Sequence, residues 1–411
     1  MSKVIIAGGG AAGMLAAIGC AENGNEVSLY EKNEKLGKKL FITGKGRCNV
    51  TNACDMEELF ENIVGNPRFL YSAFYGFNNQ DMMELLSRLG VPLKTERGNR
   101  VFPQSDKSSD VIRALQRELE RLGVRIFLNT PVKEILAEEG HVMGVLLRGG
   151  KKEKADAVII ATGGLSYPST GSTGDGYVFA RRLGHTVTEL FPGLVPLEVK
   201  EDFVRELMGL ALKNVSVRIS DGRGKTLYSG FGEMLFTHFG VSGPLIISAS
   251  SHVTKALMKE SLTLSVDLKA ALSHEQVNAR LLREFEENRN RQLKSVIAAL
   301  LPSSLVPVMI SYMGLPPERK VNEISREERL HITECLKAFR MTVTGFRGYD
   351  EAIITRGGVS VKEVNPSTME SKLVKGLYFA GEVLDLDAHT GGFNLQIAWS
   401  TAHLAGQNAG A

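Results

Sequence analysis

Two spacings of apolar residues divide this chain. At its start Val4, Ile5 and Ile6 form an unbroken apolar run, the pattern of a strand covered on both faces. A glycine turn follows, then "AAGMLAAIGCAE", which reads as a helix with Gly24 as its C-terminal stop. "EVSLYE" reads as the next strand. "GVRIFLNTPVKEILAEEGHVMGVLLRGGKKEKADAVIIATGG" breaks into several short strands, the last running into Ala161-Thr162-Gly163-Gly164. Far downstream, "KGLYFAGEVLDLDAHTGGFNLQIAWSTAHLAG" reads as a buried strand, a polar loop, and a helix beginning near Gly392.

The middle of the chain has a different texture. "LKNVSVRISDGRGKTLYSG" alternates apolar and polar positions around Asp221-Gly222-Arg223-Gly224, a hairpin signal. "SLTLSVDLK" is another strand. Ser273 with Gln276 and Ser325 with Glu328 form capping boxes. They open helices predicted through "HEQVNARLLREFEENRNRQLKSVIAALL" and "REERLHITECLKAF". The expected architecture is α/β. A Rossmann-like nucleotide-binding fold begins in residues 1–190 and is completed by 346–411. It is interrupted at 191–345 by a small β-rich, barrel-like domain with a helical excursion.

Composition narrows the function. The 411 residues are 43% hydrophobic, enough for sizeable cores, and the net charge is only +3 with no long basic run. Nucleic acid is therefore not expected as a partner. No apolar stretch reaches the roughly 18 residues of a membrane span. "MSKVIIAGGG" passes directly into a strand, so a cytoplasmic protein is expected. Four cysteines in so long a chain form no disulfide framework, and no metal site is expected. The 43 glycines gather in particular loops, as when a backbone must approach a ligand closely.

The chemistry starts at Gly8, Gly10 and Gly13, a G-x-G-x-x-G between strand and helix that also contains Ala12. Glu31 closes the second strand 23 residues after Gly8, where an acid meets a ribose diol. Glycines there let the backbone approach a pyrophosphate, whose charge the helix N-terminus stabilises. An acid at this place repels a 2′-phosphate, so the nucleotide is FAD or NAD. A second polar stretch, "GKGRCNVTN", follows at Gly44–Asn52. Gly44 and Gly46 could bring N–H groups to a phosphate, Arg47 a cationic fork, and Asn49 and Asn52 amides for hydroxyls or ring edges. Five residues separate Cys48 from Cys54, a spacing that argues against a dithiol relay and for Cys48 as a small neutral residue near the cofactor.

The early G-x-G-x-x-G, the "ATGG" strand and the C-terminal strand–loop–helix together resemble the two-dinucleotide-binding flavoproteins of glutathione-reductase type. More narrowly, "EKNEKLGKKLFITGKGRCNVTN", "ATGGLSYPSTGSTGDGY", "LFTHFGVSGP", "TRGGVSVKEVNPSTMESK" and "LYFAGEVLDLDAHTGGFNLQIAWSTA" resemble one bacterial flavoprotein family. It includes aminoacetone oxidase and the 3-dehydro-bile-acid Δ4,6-reductase, and the likeness to the latter is greatest over residues 1–55. The resemblance implies FAD. It places Lys32, Lys39, Thr43, Val132, Ala161, Thr162 and Gly163 beside the cofactor. Gly381 and Glu382 would lie at the ribityl–pyrophosphate region, where the flavoprotein group usually carries Asp. Gly392, Asn394, Leu395 and Gln396 would lie near the isoalloxazine.

No second G-x-G-x-x-G occurs, so a nicotinamide donor, NAD(P)H, is expected to bind only transiently. The substrate is expected between the cofactor and the inserted domain. Tyr167, His238, Arg356 and His389 are candidate catalytic residues, because they stand inside motif-like loops. Three functions are open at this point. One is reduction of a steroid-like enone. Another is oxidation of a small amino ketone by O₂. The third is a flavin-bearing, RNA-associated or binding protein without turnover. Oligomeric state is not legible.

Overall fold

The computed structural model describes residues 1–410. The chain falls into two compact units, residues 1–193 with 349–411, and residues 194–348.

The first unit is built on a five-stranded parallel sheet. Its strand order is Leu377–Phe379, Ala157–Ile160, Lys3–Ala7, Glu26–Tyr30, Arg125–Phe127. Strand Lys3–Ala7 sits at the centre and is buried from Val4 to Ala7, as its unbroken apolar run requires. The C-terminal segment supplies the edge strand, which pairs Val158 with Leu377 and Ile160 with Phe379. Residues over 200 positions apart thus share one sheet. The first helix occupies Ala11–Glu22 and ends at Asn23, with Gly24 at φ 77°. The last helix occupies Phe393–Asn408. Both pack into one core, which is why neither shows a polar stripe along its middle. Trp399 is wholly buried there and donates its indole N–H to Val50 O at 3.0 Å.

The second unit contains a closed six-stranded barrel. Its long hairpin joins Ala211–Ser220 to Thr226–Phe236 across the predicted Asp-Gly-Arg-Gly turn. Helix Pro244–Leu257 packs its buried face into the same core. Both capping boxes are present, at Ser273 and Ser325. The long helix expected through residue 301 is broken. It runs from His274 to Glu287, and a short one resumes at Leu293–Ile297. Between them Leu293 N bonds Arg319 O at 2.8 Å and Val321 N bonds Arg291 O at 3.0 Å. Pairing with the 319–321 segment has replaced the helical hydrogen bonds there.

Candidate cofactor cleft

A cleft with an empty volume of about 1310 Å³ opens in the first unit, along the C-terminal ends of its parallel strands. The sequence explains its floor. After strand Lys3–Ala7 the chain turns at Gly8, whose φ is 110°. A Cβ there would stand 2.5 Å from Ala161 O. Gly13 lets the helix press on the strand, since a Cβ on it would overlap Gly8 O. Gly10 differs from both. Its Cβ position faces open space, with nothing within 4 Å. It is the N-cap of helix Ala11–Glu22, and neither a capping side chain nor an acid occupies the first turn. Free N–H groups and the helix dipole therefore face the cleft at Gly10.

Glu31 closes the strand beside this turn. Its carboxylate accepts Gly9 N at 2.7 Å, Asn33 N at 2.8 Å and the Asn33 amide at 2.7 Å. Lys32 reaches over to Asp175 at 2.7 Å and Thr173 at 2.5 Å. Ala161, Thr162 and Gly163 form the adjacent wall, and Thr162 Oγ1 is buried there with no hydrogen-bond partner. Asn394, Leu395, Ile397 and Ala398 line the cleft as well. Their helix also begins without a side-chain cap or an acid in its first turn.

Fourteen of the sequence-predicted cofactor residues line the cleft: Gly8, Gly10, Ala12, Glu31, Lys32, Lys39, Thr43, Val132, Ala161, Thr162, Gly163, Glu382, Asn394 and Leu395. The residues present fit FAD. A phosphate cradle stands open at Gly10, an acid is set for a ribose diol, and two uncapped helix starts meet one cleft.

Other expected residues stand outside the lining of this cleft. The "GKGRCNVTN" stretch mostly turns away from the cleft. Arg47 pairs with Glu96 and with Asp106 at 2.7 Å, and its guanidinium lies 4.2 Å from the Phe102 ring centroid. These carboxylates hold the guanidinium above its usual pKa and are themselves held below theirs. Asn52 is buried. It donates to Gly98 O at 3.0 Å and Gly391 O at 3.1 Å, and accepts from Cys54 N at 3.1 Å. Asn49 Oδ1 is buried without a partner but lies outside the cleft lining. Gly44, Lys45, Gly46 and Cys48 all have positive φ, so the glycines serve a tight local coil. Burial pushes the Cys48 thiol up to about 12 and Cys54 to about 11, which leaves both unreactive. Gln396 is a core residue. It accepts from Thr51 Oγ1 at 2.7 Å and donates to Ser400 Oγ at 2.9 Å. Gly13, Gly381 and Gly392 shape the backbone behind the cleft rather than its surface.

The proposed catalytic side chains do not line the cleft either. Arg356 donates to the buried Asp387 carboxylate at 2.9 Å. His389 is held by its backbone, N to Asn62 O at 2.9 Å and O to the Asn394 amide at 3.1 Å. Tyr167 is half-buried in a left-handed conformation at φ 53°, and burial raises its phenol above the usual value. His238 belongs to the second unit, edge-on to Phe239 at 5.0 Å.

Sequence reasoning missed the chief polar network of the cleft wall. Lys39 Nζ donates to Glu382 Oε2 at 2.6 Å and to Ser166 Oγ. Glu382 Oε1 accepts from Ser166 Oγ at 3.0 Å and Thr355 N at 2.8 Å. Ser166 and Thr355 are buried, and Thr355 Oγ1 in turn accepts Leu165 N at 2.7 Å. The only signal for this network was the acid at 382, one methylene longer than the Asp usual there.

Comparison with known proteins agrees with this geometry. The HI0933-like protein Rossmann domain model matches residues 2–408. The chain is 31% identical to a 3-dehydro-bile acid delta(4,6)-reductase of Clostridium scindens, over 100% of this chain and 99% of that protein. It is 32% identical to a ribosomal RNA dihydrouridine synthase of Escherichia coli, over 98% and 97% respectively. Among solved structures, the 3-ketosteroid delta1-dehydrogenase of Sterolibacterium denitrificans shares the fold, with TM-score 0.50, 13% identity and 99% coverage of both chains. No helix among the described residues is long and apolar enough to cross a membrane. The chain belongs to the HI0933-like family and is an FAD-dependent oxidoreductase.

Proposed function

We propose that this chain saturates a carbon–carbon double bond conjugated to a carbonyl, using electrons from NAD(P)H, and that its substrates are steroid-like 3-oxo-4,6-dienes of the bile-acid type. The observation that carries this reading is the end-to-end match to a relative named for reducing such bonds. When bound, FAD supplies two-electron hydride chemistry. The protein's part is binding, orientation and electrostatics. The open N-terminus of helix Ala11–Glu22 takes the pyrophosphate, with Gly10 leaving room for it. Glu31 takes the ribose diol. The N-terminus of helix Phe393–Asn408 presents its N–H groups, with Asn394 and Leu395, to the ring system.

A second reading takes a uracil ring of ribosomal RNA as substrate, since it too holds a double bond conjugated to a carbonyl. Full-length relatives of that name, 31% and 32% identical, favour it. They also remove the ground for excluding nucleic acid on net charge alone.

The test is anaerobic. NADH or NADPH should bleach the flavin absorbance, and a 3-oxo-4,6-diene steroid should restore it. Restoration by a ribosomal RNA transcript, and not by the steroid, would replace the first substrate with the second. Bleaching by aminoacetone alone, with no response to either nicotinamide, would overturn reduction as the physiological direction.

A further inference from the structure

The Lys39–Glu382 pair stands out among the charges of the cleft. Among the described residues, two ion pairs have both partners lining the cleft, Lys32–Asp175 and Lys39–Glu382. The second is the more enclosed, with both side chains about one-fifth exposed. The partners are 343 residues apart in sequence. Each oxygen of the carboxylate is satisfied, Oε2 by Lys39 and Oε1 by Ser166 and Thr355. The ammonium is held by Glu382 and Ser166. Ser166 itself is pinned, its N–H on Thr355 Oγ1 at 3.1 Å and its hydroxyl 3.3 Å from Ile353 O. The carboxylate is therefore fixed in place, and it fixes the cation. Asp at 382 would fall one methylene short of this arrangement.

Such a pair is costly to half-remove. Two opposite charges in a partly dry cleft nearly cancel, and loss of either leaves the other uncompensated. A cofactor that gains negative charge on reduction is sensitive to that balance, because the local field acts on its two redox states unequally.

We propose that Glu382 is a positioning residue that holds Lys39 as a compensated charge couple, and that this couple sets the reduction potential of the bound FAD. The proposal rests on the reading of this cleft as the FAD site, and not on which substrate is reduced. Lys39→Met leaves the carboxylate unopposed, which disfavours added negative charge. Glu382→Gln leaves the ammonium unopposed, which favours it. The two substitutions therefore move the potential in opposite directions, K39M down and E382Q up.

The test uses the whole holoprotein, reconstituted with FAD. The midpoint potential is measured by anaerobic dye-linked titration for the parent, K39M, E382Q, E382D and the double variant K39M/E382Q. FAD dissociation constants are taken in parallel. Opposite-signed shifts are expected, with the double variant returning toward the parent. K39M should also weaken FAD by roughly tenfold, because the bared Glu382 carboxylate repels an anionic ligand. E382D should shift in the same sense as E382Q but less. Shifts of the same sign in K39M and E382Q, or none, would overturn the proposal, since a merely structural role predicts both variants to fail alike. Failure of every variant and the parent to take up FAD would overturn the cleft assignment itself. Failure of the steroid substrate alone would leave the potentials as expected.

Discussion

The turn at Gly8–Gly13 and the stretch Gly44–Asn52 look alike on paper. Both are rich in glycine and lie in loops near a nucleotide fold. In the folded chain they do opposite work. At the first turn Gly10 has no neighbour within 4 Å of its Cβ position, and free N–H groups point into the cleft. In the second stretch Arg47, Asn52 and Cys48 are all spent on protein partners or buried. A polar loop serves a ligand only if its own chain leaves its donors unpaired. Glycine count does not distinguish the two cases, whereas the accounting of hydrogen bonds does.

Several substitutions break or sharpen this contrast. Gly13→Val should have the largest effect. Its Cβ would overlap Gly8 O, so the helix must move off the strand at a cost of about 3 kcal/mol, and the protein should purify without flavin colour. Gln396→Ala comes next. Gln396 is fully buried, and its removal strands Thr51 Oγ1 in the core, while Ser400 keeps its bond to Phe77 O at 2.6 Å. A loss of about 1–3 kcal/mol is expected in urea unfolding, with an unchanged spectrum of bound flavin. Arg47→Ala should do less. It breaks half-exposed pairs and a ring contact, so a small drop in melting temperature is expected with FAD affinity unaltered. A large loss of FAD affinity in that variant would return Arg47 to the cofactor.

Acid provides a gentler probe. Burial holds both His185 and His403 below the usual histidine value, against the opposing pull of Glu363 on the first and Asp81 on the second. In the unfolded chain they titrate near ~6.5, so the unfolded state binds more protons below that pH. Stability from these two groups is complete above the unfolded value and falls as pH drops through it toward the folded values. His403→Gln should flatten the acid limb of a stability-against-pH curve measured by urea midpoints. An unchanged limb would assign the acid sensitivity to other groups.

Much of the frame was legible because its causes are local. The helix at Ala11–Glu22, the helix start at Gly392, the hairpin at residues 221–224 and both capping boxes depend on residues within a few positions of each other. The misreadings share a different cause. Arg47 finds its carboxylates 49 and 59 residues away, Thr51 meets Gln396 after 345, and Lys39 meets Glu382 after 343. Periodicity and motif spacing contain no information about such partners. The break after Glu287 has the same origin, since the 319–321 segment competes for its backbone.

The central claim is that the glycine turn and the two open helix starts bind FAD. It is tested most directly by the amount of FAD released on denaturing the purified parent protein and the Gly10→Ala variant. Gly10 has φ −82°, which alanine tolerates, and its Cβ would touch no protein atom. The account predicts one FAD per chain in the parent and almost none in the variant, with equal melting temperatures of the two apoproteins. A parent that takes up no FAD, or a variant that keeps its full complement, would contradict it.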